Sequence, residues 1–162
     1  MAQVDYFLKL DGIKGESTDS KHKGEIELSS FSWGCSNTSD VAGSSGTGGG
    51  AGKVHFQDLH CTTMVNTSSP TLMLNCATGV HIKSALVTAR KQGGDQQDYY
   101  KVTLTDVLVS SYQSGGGGDL IPTDQFSLNY GKIEFSYQSQ DEKGKLGTPV
   151  KTGYDLKANK KS

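Results

Sequence analysis

The sequence predicts a mainly β fold, read as one domain over residues 1–162: a curved β-barrel of two sheets with one flanking helix at about 69–78 and Gly-rich loops. Three observations carry this. Apolar residues alternate with period two in several separate runs. The alternation changes phase inside three of those runs. Glycine takes 21 of 162 positions, nearly twice the usual share of about 7%, and ten of these fall in two short clusters.

The elements follow in order. Tyr6 to Leu10 is a short strand ended by Asp11-Gly12. Residues 25–35 alternate, with Ile26 and Leu28 on even positions and Phe31, Trp33 and Cys35 on odd ones. Such a slip moves side chains to the opposite face unless a bulge or bend intervenes. Tyr100, Val102 and Leu104 give way in the same manner to Val107 and Val109, and Phe126, Leu128 and Tyr130 to Ile133, Phe135 and Tyr137, with Gly131 at the break. Strands that swap faces midway suit a curved sheet. Further strands are expected at 53–62, 81–90 and 149–158. The helix starts with Ser69 as cap and Pro70 at N1, presents Leu72, Met73 and Cys76 as its apolar stripe, and stops at Gly79. Its expected role is to plug one end of the barrel. The glycine clusters, Gly43 to Gly52 and Gly115 to Gly118, are expected as mobile loops.

Composition narrows the function. A formal charge of −1 gives no long-range attraction to nucleic acid or anionic membrane. No window holds 18 apolar residues, so no membrane insertion is expected. The first residues lack the basic and apolar regions of a secretory signal peptide. Three cysteines without such a signal read as free thiols. Arg90 is the only arginine, which argues against a site gripping phosphate or carboxylate. Leu, Ile, Val and Phe make up about a fifth of the chain, a thin core for its length.

Candidate chemistry fares poorly. Gly52-Lys53 lacks the first glycine and the following hydroxyl of a phosphate loop, and a strand follows where a helix is needed. His55, His60, Cys61 and Asp58 do not converge on a strand, and His22 and His81 read as surface residues. Neither a Gly-x-Ser-x-Gly elbow nor a cysteine signature is present, and Asp141-Glu142 reads as a solvated turn. No enzyme, metal or cofactor is expected. Phe31 and Trp33 read as core, with Ser30 and Ser32 on the wet face of the same strand, and Tyr154 and Leu156 as further core. An alternative use of Trp33 and the tyrosines is a stacking platform in a secreted carbohydrate-binding β-domain.

Several segments together, in order, resemble one family. They are residues 5–17 (Asp5-Tyr6-Phe7-Leu8-Lys9-Leu10-Asp11-Gly12 onward), Phe31-Ser32-Trp33-Gly34, Gly48-Gly49-Gly50-Ala51-Gly52-Lys53-Val54 with Gln57-Asp58-Leu59, Ser69-Pro70-Thr71-Leu72-Met73, and Pro149-Val150-Lys151-Thr152-Gly153-Tyr154-Asp155-Leu156. The chain is similar to the haemolysin-coregulated protein family, the tube subunit of bacterial type VI secretion. That resemblance implies hexameric rings that stack into a hollow tube inside a contractile sheath. It implies partners in the sheath, spike and baseplate, effectors carried in the lumen, and export from the bacterial cytoplasm without a signal peptide. Under it, Ser30 and Ser32 become candidates to face the lumen. Ala42, Gly43, Ser44, Ser45, Gly46, Thr47, Gly48, Gly49 and Gly50 become candidates for the ring-stacking loop.

Overall fold

The computed structural model describes residues 3–38, 53–92 and 96–162. The candidate stacking loop, Ala42 to Gly50, lies outside them. The elements are β1 (Val4–Leu10), β2 (Ile26–Leu28), β3 (Ser30–Ser32), β4 (Cys35–Asn37), β5 (Val54–Phe56), β6 (Leu59–Met64), α1 (Ser69–Thr78), β7 (His81–Lys91), β8 (Asp98–Gly115), β9 (Thr123–Tyr137), β10 (Val150–Asp155) and β11 (Lys160–Lys161). The fold is mainly β, with a nine-stranded sheet and a small second sheet of β4 and β5.

In the large sheet the order is β11-β10-β9-β8-β7-β1-β2, and β6 joins β9 and carries β3. One edge of β9 is therefore shared. Its first half pairs with β6 and its second half with β10. The sheet curls until β2 meets β6, but it does not close strand to strand. Ser29 N donates to Thr62 O at 2.7 Å and Thr63 Oγ1 to Glu27 O at 2.6 Å across the seam. The run expected as one strand over 25–35 is broken into β2, β3 and β4, because the chain leaves β1 at Leu28 and pairs with β6 from Ser30 onward.

The phase changes have a different outcome from a swap of faces. In β8, Leu104 and Val107 are both fully buried, and in β9 so are Tyr130 and Ile133, at 4% and 3% exposed. Asp106 has φ +56°, a left-handed backbone that bends the strand without shifting its register and returns the next side chain to the core. The pairs Thr105↔Lys132 and Val107↔Tyr130 set Gly131 opposite Asp106. The pairs Ile82↔Val107 and Ser84↔Thr105 set Lys83 on its other side. Three neighbouring strands thus change phase in one row, and the sheet bends there while keeping one core face. Exposed ion pairs from His81 and Lys157 converge on the Asp106 carboxylate and hold it below the usual range.

A second buried layer lies on the far side of β1 and β7. Residues 14–25 fold over it, with Gly15 N donating to Gly24 O at 2.8 Å and Ser17 N to Glu25 O at 3.0 Å. A Cβ on Gly15 would sit 2.5 Å from the Glu25 carbonyl oxygen, so only glycine permits this approach. Beneath lie Phe7, Thr88 and Arg90, each at most 3% exposed. His22 is buried as well, against the expectation of a surface residue. Its ring stacks on Phe7 with centroids 4.2 Å apart, and its nitrogens stand 2.9 Å from Glu25 and 3.0 Å from Asp98. The polar sequence around His22 hides this burial, which comes from a turn: Asp19 accepts from the backbone N–H of Lys21 and His22.

The helix starts one residue differently from the expectation. Ser68 is its N-cap and makes no side-chain cap bond. Ser69 is the first helical residue, and its hydroxyl donates to the buried Asp124 carboxylate on β9 while accepting from Asn66 N at 3.0 Å. A carboxylate is a stronger acceptor than anything the helix offers this hydroxyl, which accounts for the shift. Pro70 accordingly stands at N2 instead of N1, while Gly79 takes the expected place, at φ +68° and donating to Asn75 O at 2.9 Å. Leu72 is buried and Cys76 half-buried against the core, but Met73 is 51% exposed. It stands about 100° round the helix from Leu72, so it does not belong to the core stripe.

Candidate functional site

The site is built on the outer face of β3, β6, β9 and β8. Directly opposed residues on antiparallel strands share a face. The register therefore aligns Ser32, His60, Ser127 and Ser111 in one row across four strands, and Ser30, Thr62, Gln125 and Gln113 in the next. Neither row holds a charged Asp, Glu, Lys or Arg. The alternate row on the inner face is Phe31, Cys61, Phe126 and Tyr112, the core packing that holds this surface in place. Ser30 and Ser32 are exposed, while Phe31, Trp33, Tyr154 and Leu156 are half-buried and packed against the core.

Fixed hydrogen bonds stiffen the margin. Ser110, beside the second β8 irregularity, donates to Asp58 Oδ2 at 2.6 Å and lies 2.7 Å from the Ser127 hydroxyl. Asn129 Nδ2 donates to the other Asp58 oxygen at 2.9 Å. Both carboxylate oxygens are thereby engaged. Burial pushes the Cys61 thiol far above its ordinary range, so it is an inert core group and not a nucleophile. Tyr130, raised to about 12 by burial, donates to Gln57 O at 2.8 Å. Among the described residues, no three His, Cys, Asp or Glu side chains come together as a metal site, and no helix is long and apolar enough to cross a membrane.

On the other side of the Asp106 row the same outer surface changes character. There the rows read Lys101, Ser136 and Lys151, then Thr103, Glu134 and Gly153, and then Thr105, Lys132, Asp155 and Lys160. Charge is segregated along one sheet. The neutral half offers hydroxyls, amides and an imidazole that donate or accept hydrogen bonds, with no nucleophile set beside a base. It suits broad, unselective contact with polar protein surface. Trp33 does not form an open platform: its Nε1 donates to Tyr100 Oη at 2.7 Å and its ring meets Phe135 edge-on at 5.2 Å. His60, Thr62, Ser111, Gln113, Gln125 and Ser127 were not singled out by the sequence. Their alternation with core residues was readable, but which strands stand side by side was not. Arg90 corrects a composition argument. Its two terminal nitrogens do grip a carboxylate, that of Asp19, at 2.8 and 2.6 Å, but within the chain's own second layer.

The comparisons agree with this architecture. The family model for the type VI secretion system effector Hcp matches residues 7–137. Protein hcp1 of Pseudomonas aeruginosa is 43% identical over 159 residues, covering 96% of this chain and 97% of the relative. The crystal structure of Hcp1 from Salmonella typhimurium aligns over all of both chains with a TM-score of 0.80 and 33% identity. A solved type six secretion system protein aligns over 99% of this chain and all of its own, with a TM-score of 0.92 and 32% identity. This chain belongs to the Hcp family of type VI secretion system proteins.

Proposed function

We propose that this chain is a tube subunit whose copies form hexameric rings that stack into a hollow conduit, with the neutral sheet half lining the lumen. It acts as a structural and cargo-binding protein with no catalytic role. One observation carries the reading: a member of a secretion family presents two four-strand rows of Ser, Thr, Gln and His without a fixed charge. A conduit for unlike proteins needs a wall that hydrogen-bonds without strong preference, because charge would trap some cargo and repel the rest. Ser30 and Ser32 belong to that wall, effectors are its ligands, and the loop from Ala42 to Gly50 makes the contact between stacked rings. Sheath, spike and baseplate proteins meet the outside of the tube, and the subunit leaves the bacterial cytoplasm with its cargo.

Native mass spectrometry of the full chain tests the assembly directly. A mass six times that of the chain is expected. A single-chain mass at micromolar concentration overturns the reading.

A further inference from the structure

Helix α1 carries no charged residue, with no acid in its first turn and no base in its last. Successive residues turn by about 100°, so Pro70, Met73, Leu74 and Ala77 point away from the side that Ser69, Leu72 and Cys76 bury. Thr71 and Thr78 share that outward side, which is thus uncharged and largely apolar, with Met73 and Leu74 51% and 55% exposed. The helix has a core on one side only, so Met73 and Leu74 stand exposed on a face with no charge to keep it wet.

The surface continues past the helix start. Met64 and Val65 precede it, and Leu120 and Ile121 lie alongside, 80% and 61% exposed. Val65 N donates to Pro122 O at 3.0 Å and joins the two segments. Met64, Val65, Met73, Leu74, Leu120 and Ile121 are thus each between 39% and 80% exposed, and large apolar side chains exposed together mark an interaction surface. Beside it opens a groove of about 360 Å³ whose only charges are Glu16 and Glu27. The lysine rows lie toward the other end of β9, where Lys132 and Lys151 pair along its second half. Unlike surfaces at opposite ends of one chain are what a head-to-tail ring requires, since a self-matching patch stops at a dimer.

We infer that the outward side of α1, with Met64, Val65, Leu120 and Ile121, is covered by a second copy of this chain and forms one side of the contact between neighbours in the ring. This rests on the ring reading above. Leu74→Lys keeps a good helix former at an exposed position, so the subunit should fold with unchanged circular dichroism. In native mass spectrometry at equal concentration it should shift at least ten-fold from six-fold to single-chain mass. Leu120→Lys should do the same, and Leu74→Met should retain the ring. If the wild-type chain is a ring and both lysine variants remain rings, the contact is overturned while the ring reading stands. If the wild-type chain is itself single, the ring reading fails and this inference with it.

Discussion

Arg90 shows how one side chain organises its surroundings. Its fork closes on Asp19, Nη2 of that fork also stands 3.5 Å from Asp5, and its guanidinium lies 4.9 Å over the Phe7 ring. The Arg90 hydrogen bonds hold the Asp19 carboxyl far below the usual range, aided by the Lys21 and His22 backbone. The sign follows from linkage. A carboxyl depressed in the folded state contributes stability that is fully present above its unfolded pKa of about 3.9 and is lost as pH falls below that toward the folded value. Asp19→Asn should therefore lower stability by about 3 kcal/mol near neutrality, because it leaves a buried guanidinium short of its partner. The deficit should shrink as pH falls below about 4, where the unfolded wild type gains the proton the variant cannot take. Urea unfolding at a series of pH values reads this, and a deficit constant down to pH 2 would contradict the assignment.

The elements divide into those the sequence announces and those only the sheet decides. The helix was legible because Pro70, Leu72 and Gly79 are local signals, and the break at Gly131 because a phase change is visible in one strand. That both halves of β8 and β9 return to one core was not legible. It depends on Asp106 and Gly131 standing in the same row, and pairing across strands leaves no local trace. The anchor of α1 has the same character. Asp124 is fully buried and accepts from Ser69 of the helix and from Tyr112 of β8 at 2.8 Å. Burial and the neighbouring Asp124 both push the Tyr112 hydroxyl up, so it stays a donor. Asp124→Ala should destabilise the fold by about 3 kcal/mol, since the buried Ser69 hydroxyl and the half-buried Tyr112 hydroxyl lose their shared acceptor. Tyr112→Phe should cost about 1 kcal/mol, and in the Asp124→Ala background much less. A double-mutant cycle by chemical unfolding measures that coupling; full additivity would show that the two groups do not act as one anchor.

At the scale of the whole molecule, the kink row separates a neutral surface from a charged one, and an assembly can use each for a different neighbour. Serine suits the neutral wall because it is small as well as polar. The proposed hexameric ring would repeat each position six times, so a change tolerated by one subunit would be multiplied around its pore. Ser32 lies in the row with His60 and is exposed, so a larger amide there meets open space within its own subunit. Ser32→Gln should leave subunit stability within about 0.5 kcal/mol, as expected of a surface change, and leave the ring mass unchanged. It should narrow the lumen and reduce several-fold the cargo recovered with secreted rings. Ser139→Gln, exposed beyond β9 and outside the neutral rows, should change neither quantity. An export assay that follows ring and cargo together separates the effects. Wild-type cargo recovery by Ser32→Gln rings would remove Ser32 from the lumen, and a loss of rings would move it to a contact between subunits.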